Sequence, residues 1–243
     1  MPPGRRKDRR DLAVTLGTLL LVLAWDASGL DLPLTRTLAT SRGFPWRDTW
    51  LTDQLLHEGG RLLAAGAMLA LLLHALWPRG LGWQDGTGRH QRWAALGGVL
   101  LNLTAVPALK RASATSCPWD LAEFGGSAPY VPHWDWGVPD LGPGHCFPSG
   151  HAVAGFAFIA LYLAWRDTHP ARARRWLWFS MATGLAFGGS QVLRGAHYLS
   201  HVAWSGWLCW SLAMLVFAMA RRRQPARVSD AAAASGHREC KIR

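Results

Sequence analysis

Three separated stretches of the chain carry side chains that can bind and attack a phosphate. They contribute two cations, a hydroxyl and three imidazoles, namely Lys110, Ser149, His151, Arg194, His197 and His201. Lysine and arginine attract phosphate oxygens, and Ser149 adds a hydroxyl donor at the predicted start of a helix. Gly150 lets the backbone approach an anion closely. Histidines beside such an anion supply a nucleophile and a proton donor. The residue types therefore predict phosphoryl chemistry at a shared site.

These residues stand at the ends of long apolar blocks. We count six blocks, at residues 12–27, 62–77, 93–109, 148–165, 176–193 and 202–220. Each is close to the roughly 20 residues that cross a hydrocarbon core of about 30 Å. Tryptophans lie near several block ends, which is typical of a membrane interface. The sequence predicts an all-α integral membrane protein of six spans, with a catalytic domain at 12–220, a cytoplasmic tail at 1–11 and a disordered tail at 221–243.

The basic charge is distributed by loop. The chain has 243 residues and a formal net charge of +11. If the blocks alternate across a membrane, 19 of the 26 lysines and arginines fall on one side. The positive-inside rule then places both termini in the cytoplasm. This explains the charge without nucleic acid, and it puts the candidate phosphate residues on the outer face of a bacterial-type inner membrane. No small-x-small cleavage site cleanly follows the first block, so we expect an uncleaved first span.

Two of the four cysteines fall in the same predicted outside loop, residues 111–147. They are Cys117 and Cys146. An oxidising compartment favours their pairing. Closing this loop contributes about 3–4 kcal/mol in the chain-entropy model.

Three short motifs surround the candidate residues. The first runs from Lys110 to Cys117-Pro118, the second is Pro148-Ser149-Gly150-His151, and the third runs from Ser190-Gln191 through His197 to His201. They resemble the type 2 phosphatidic acid phosphatase superfamily, which shares its core with the vanadium haloperoxidases. That family has the motifs K-x6-R-P, P-S-G-H and S-R-x5-H-x3-D. The resemblance covers residues 110–201 directly, and the six-helix layout extends it to most of the chain.

The resemblance implies a mechanism. His197 attacks phosphorus to form a phosphohistidine, and His151 protonates the leaving group. Lys110, Ser149 and the Gly150 amide hold the phosphate oxygens, and water then releases phosphate. These cations and N–H donors stabilise the developing charge, so no metal or cofactor is expected. The family further suggests a lipid phosphate substrate in the bilayer, such as phosphatidate, phosphatidylglycerol phosphate, polyprenyl diphosphate or a lipid A phosphate.

The chain departs from the family pattern at three positions. Cys117 replaces the arginine of the first motif. Gln191 replaces that of the third, and Arg194, three residues later on the same helix face, can substitute for it. His201 stands where the family has an aspartate, and a neutral imidazole cannot stabilise an imidazolium as a carboxylate does. Either activity is lower, or a loop carboxylate takes this role. The candidates are Asp120, Glu123, Asp135 and Asp140.

Other functions fit parts of the pattern. A lipid phosphotransferase on the same core would pass the phosphoryl group to a second lipid, and product analysis with an acceptor lipid would distinguish it. A non-catalytic membrane protein would explain the three altered positions. Against that, Lys110, Ser149, His151 and His197 are all present. His197 and His201 are four residues apart and could bind a metal, but no carboxylate lies between them.

Overall fold

The computed structural model describes residues 3–77, 88–135 and 137–222, and this part of the chain is helical without strands. Most of the predicted C-terminal tail, residues 223–243, lies outside the described residues.

The helices follow the apolar blocks of the sequence. Two helices come first, α1 (Pro3–Ser28) and α2 (Asp31–Leu38). A π-helix (Trp50–Gly59) continues directly into α3 (Gly60–Leu76). Helix α4 (Arg89–Ala112) leads into a long loop, residues 113–152, that contains two single 3₁₀ turns at Pro118–Asp120 and Ala122–Phe124. Four helices follow, α5 (Val153–Phe156), α6 (Ile159–Trp165), α7 (Pro170–Leu193) and α8 (Leu199–Arg222).

Four helices are long and apolar enough to cross a membrane. They are Arg9–Ser28, Trp50–Leu76, Arg89–Ala112 and Leu199–Arg222. The prediction of six spans is therefore not confirmed. The block at 148–165 begins its helix only at Val153 and gives a 13-residue apolar segment, Val153–Trp165, about 20 Å long at 1.5 Å per residue. Helix α7 is 24 residues long, but glycine, serine and glutamine dilute its apolar character near its end.

Helices α5 and α6 lie at the centre of the bundle. Their side chains are almost all buried, and they pack against α4, α7 and α8. Gly155 of α5 and Gly184 of α7 allow the closest approach, because a Cβ on Gly155 would overlap the Gly184 backbone. Asn102 of α4 donates to the carbonyls of Ala157 (3.4 Å) and Cys209 (3.2 Å), which links α4 to both the centre and α8.

Indole donors attach α1 to α8. Trp204 Nε1 donates to Asp26 Oδ2 at 2.8 Å, and Trp210 Nε1 donates to the Thr15 hydroxyl at 2.8 Å. Near the other end of α1, the side chains of Arg166 and Asp11 form a buried ion pair of 2.7 Å. These bonds fix α1 along its length, although most of its apolar residues remain exposed.

The long loop covers the turn between α7 and α8. Cys117 and Cys146 form a disulfide within it, with their Cα atoms 5.2 Å apart. The Trp119 amide donates to the Gly195 carbonyl at 2.9 Å. Gly195 has φ +70°, a conformation that glycine adopts without strain, and a Cβ there would collide with Phe44. The loop and the α7–α8 turn therefore form one packed layer at this end of the bundle.

Candidate functional site

The Ser149–His151 turn enters the bundle between the long loop and α5. The Ser149 amide donates to the His201 carbonyl at 3.2 Å, and its own carbonyl accepts from the Ser205 hydroxyl at 2.8 Å. Both partners belong to the first turns of α8. The Ser149 hydroxyl is buried and has no hydrogen-bond partner among the described residues. It is therefore an unpaired hydroxyl in the interior at this end of the bundle.

Lys110 lies against this turn. It is in the last turn of α4, and a Cβ added to Gly150 would come 3.3 Å from the Lys110 side chain. The absence of a side chain at Gly150 thus lets the lysine pass beside the turn. Its ammonium group brings a positive charge to the same end of the bundle as Ser149.

His197 is buried between these elements. It lies in the α7–α8 turn, outside the membrane-length helices, with 5 % of its surface exposed. Its Nδ1 lies 3.6 Å from Cys146 Sγ. Since a disulfide sulfur can only accept, this contact assigns the proton to Nδ1 and the lone pair to Nε2. Burial, together with the positive charge of Lys110, lowers the pKa of His197 to about 3. His197 is therefore a neutral imidazole with a nucleophilic nitrogen.

His201 lies in the first turn of α8, four residues after His197, and is fully buried. Its Nδ1 donates to the Cys146 carbonyl at 3.0 Å, while its Nε2 has no partner among the described residues. Its ring is 5.8 Å from that of His197, centroid to centroid. His201 therefore packs beside the candidate nucleophile with an acceptor nitrogen still available.

Three of the four loop carboxylates proposed to replace the family aspartate have other partners. Asp120 accepts from the Cys117 amide at 3.3 Å, and Glu123 pairs with Arg36 at 2.6 Å. Asp140 accepts from the amide and hydroxyl of Ser116. Asp135 lines a cavity of about 360 Å³ between the loop and the end of α4. Within the described ranges, no carboxylate is hydrogen-bonded to His197.

His151 faces the π-helix. Its Nε2 lies 2.9 Å from the Leu56 carbonyl, so that nitrogen carries a proton and donates it. Its ring packs on the His57 ring at a centroid distance of 4.6 Å and a tilt of 33°. The other ring nitrogen, Nδ1, is then the one that can exchange a proton with a substrate.

Arg194 also faces the π-helix. It follows the last residue of α7, and its Nη2 donates to Asp53 at 2.6 Å while its Nε donates to the Arg47 carbonyl at 2.8 Å. Gln191, in the position of the family arginine, is buried, and its amide lies 3.4 Å from the Ser190 hydroxyl. The guanidinium of Arg194 is thus held by a carboxylate and a carbonyl.

Sequence analysis missed the contribution of the π-helix. Asp53, His57 and Glu58 interrupt the apolar pattern, so the second block was placed at 62–77, whereas the continuous helix begins at Trp50. The available signal was a group of ionisable residues next to an apolar block, since such residues at membrane depth are rare and often functional.

One group of donor atoms near the nucleophile has the spacing of a metal site. Single donor atoms of Cys146, His197 and His201 lie within 4.8 Å of one another. Cys146 is bonded to Cys117, so it offers no thiolate, and two imidazoles remain. Two neutral ligands are fewer than the three or four that zinc sites in proteins use.

A second group joins α1, α2 and the long loop. Asp26, Asp31 and His133 also have donor atoms within 4.8 Å of one another. Trp204 and Trp25 each donate an indole N–H to one of the carboxylates at 2.8 Å. His133 lies 3.3 Å from Asp26. Asp26 Oδ2 and Asp31 Oδ1 already accept these hydrogen bonds, while Asp26 Oδ1 is buried without a partner among the described residues. We assign no metal to the group.

A family model described as the PAP2 superfamily matches residues 91–225. This range is more than half of the chain and includes Lys110, the Ser149–His151 turn, Arg194 and His197. The chain belongs to the PAP2 superfamily. Membership indicates phosphatase activity on phosphate esters, and PAP2 proteins act on lipid phosphates. No match was found among curated proteins or among solved structures.

Proposed function

We propose that this PAP2 protein is a membrane lipid phosphatase that hydrolyses a phosphomonoester or pyrophosphate through a phosphohistidine on His197. The observation that carries the proposal is the placement of His197, a buried neutral imidazole that feels the positive charge of Lys110. It packs beside His201, whose carbonyl accepts from the amide of Ser149. A neutral nucleophile next to cationic and N–H donors suits attack on an anionic phosphorus centre.

The reaction has two steps. His151 starts as an imidazolium, with one proton on Nε2 that is donated to the Leu56 carbonyl and a second on Nδ1. The Nε2 lone pair of His197 forms a bond to phosphorus, the bond to the leaving oxygen breaks, and the Nδ1 proton of His151 passes to that oxygen. His151 then takes a proton from water, whose oxygen attacks phosphorus and releases phosphate from His197. Lys110, Ser149, the Gly150 amide and Arg194 bind the phosphate oxygens in both steps. The protein groups alone balance the protons, and the proposed steps use no metal.

The proposed location is a bacterial-type inner membrane, with both termini in the cytoplasm and the site at the outer face. The excess of lysine and arginine on alternate loops supports this orientation. The disulfide in the long loop supports an oxidising compartment on that side. In this arrangement α7 and the α5–α6 segment add to the four long helices, and α7 presents Trp178 (71 % exposed) and Leu185 (54 % exposed) for contact with lipid.

Phosphate release by the detergent-purified full chain tests the function. A panel of phosphatidate, phosphatidylglycerol phosphate, polyprenyl diphosphate and lipid A is supplied with EDTA present, and His197→Ala is measured alongside. We expect release from at least one lipid in EDTA and none from the variant. Release from no lipid by folded protein would contradict hydrolysis, and a repeat with an acceptor lipid then distinguishes phosphotransfer from a silenced site.

A further inference from the structure

The segment before α3 is an uninterrupted π-helix of ten residues, Trp50–Gly59. π-helical geometry is rare, usually spans a single turn, and is frequent at functional sites. This one packs against α7 and lies beside two of the proposed site residues, His151 and Arg194. Neither contact follows from the three sequence motifs.

The π-helix holds His151 by two contacts. The Leu56 carbonyl accepts from Nε2 at 2.9 Å, and the His57 ring covers the imidazole at 4.6 Å. The close approach depends on Gly60, because a Cβ at this position would lie 3.3 Å from His151 Nε2 and 3.0 Å from the Phe187 ring. Rotation of the His151 ring would break the hydrogen bond and the ring contact together.

The same helix holds Arg194. Asp53 accepts from Nη2 at 2.6 Å, and this charge-assisted bond is largely shielded on the arginine side, where 9 % of the side chain is exposed. The Arg47 carbonyl, just before the π-helix, accepts from Nε at 2.8 Å. Two nitrogens of the guanidinium are thereby fixed in direction.

We propose that the π-helix Trp50–Gly59 forms a wall of the active site, in which His57 positions His151 and Asp53 positions Arg194 for the reacting phosphate. This inference rests on the proposed function, since it assigns His151 and Arg194 to the phosphate. His57 and Asp53 are positioning residues, and they act through the groups that they contact.

Substitutions separate the shape of His57 from its chemistry. His57→Phe keeps a flat ring over His151, so kcat stays within about 3-fold of the wild type. His57→Ala removes that ring, and we expect kcat to fall about 10- to 100-fold with KM nearly unchanged, because misplacement of a reacting group costs rate. Equal activity of His57→Ala and wild type would overturn the role. So would an equal loss in both variants, since ring nitrogens rather than ring shape would then matter.

Asp53→Asn tests the arginine. It weakens the bond that fixes Arg194, so we expect KM to rise at least about 10-fold with a smaller change in kcat. Asp48→Asn is the matched control, because Asp48 is an exposed carboxylate just before the π-helix. A lower KM in Asp53→Asn would show that Asp53 competes with phosphate for Arg194, and it would overturn positioning.

A binding measurement keeps the test independent of turnover. Inorganic phosphate raises the midpoint of thermal unfolding of a protein that binds it. We expect this rise in the wild type and Asp48→Asn, and a clearly smaller rise in Asp53→Asn. If the wild type releases no phosphate from any lipid, the proposed function fails. A smaller phosphate-induced rise of the unfolding midpoint in Asp53→Asn than in wild type would still support the role of Asp53 in positioning Arg194. A phosphate-induced rise of the unfolding midpoint in Asp53→Asn as large as in wild type would contradict this positioning role, whatever the activity of the enzyme.

Discussion

Reduction of the Cys117–Cys146 disulfide should inactivate the protein before it unfolds. Cys146 contacts His197 of the α7–α8 turn through its sulfur at 3.6 Å and His201 of α8 through its carbonyl at 3.0 Å. Reduction frees this residue from Cys117 and loosens the long loop over His197. We expect kcat to fall at least about 10-fold, since the nucleophile loses its fixed direction.

The cost in stability follows from the length of the loop. The two cysteines are 29 residues apart, which corresponds to about 3.6 kcal/mol of loop-closure free energy in the chain-entropy model. For a chain of this size that loss lowers the midpoint of thermal unfolding by roughly 7–14 °C. A midpoint still above the assay temperature would separate loss of activity from loss of structure.

The assay titrates a reductant against phosphate release, with thiol labelling to count the free cysteines. Cys209→Ser is the matched control, because Cys209 is an unpaired buried cysteine in α8. Its activity should respond to the reductant as the wild type does. Reoxidation should restore release. Fully reduced protein with unchanged kcat and an unchanged unfolding midpoint would refute the reasoning.

Three further outcomes are expected. Gly150→Ala places a methyl group 3.3 Å from the Lys110 side chain, so KM for the lipid phosphate should rise several-fold with little change in the far-UV circular dichroism spectrum. An unchanged KM would show that Lys110 does not bind the phosphate. His201→Phe removes the donor to the Cys146 carbonyl and should cost about 1–3 kcal/mol, measured by thermal unfolding, and an unaltered midpoint would speak against that bond. Because burial and Lys110 lower the pKa of His197 to about 3, the nucleophile stays neutral down to about pH 4, so kcat/KM should not fall between pH 7 and pH 5 on its account. An unperturbed histidine would lose roughly 25-fold of its neutral form over that interval, and a fall in kcat/KM of this size would show that His197 is not held neutral.

Much of the helical layout could be predicted from apolar blocks, because a long apolar run needs few tertiary details to become a helix. The failures have local causes. The block at 148–165 shares its first residues with the Ser149–His151 turn, so its helix begins at Val153, is only 13 residues long and is buried at the bundle centre. The π-helix was missed because Asp53, His57 and Glu58 mask the apolar pattern.

The candidate site shows the same limit. Sequence motifs predicted which side chains lie near one another, and the structure places Lys110 beside Gly150 and His197 beside His201. The hydrogen-bond partners of these side chains could not be predicted from the sequence, because they depend on packing between segments that are distant in the chain. Arg194 turns to Asp53, 141 residues away in sequence, and His197 contacts the sulfur of Cys146 in place of a carboxylate.

The most direct test of the central claim is a search for phosphate on His197 during turnover. The full chain is mixed with a substrate lipid, quenched in alkali within the first turnover and digested for mass spectrometry. We predict an acid-labile phosphohistidine on the peptide that contains His197, present in EDTA and absent in His197→Ala. Rapid phosphate release without this adduct, or with release persisting in His197→Ala, would contradict the account.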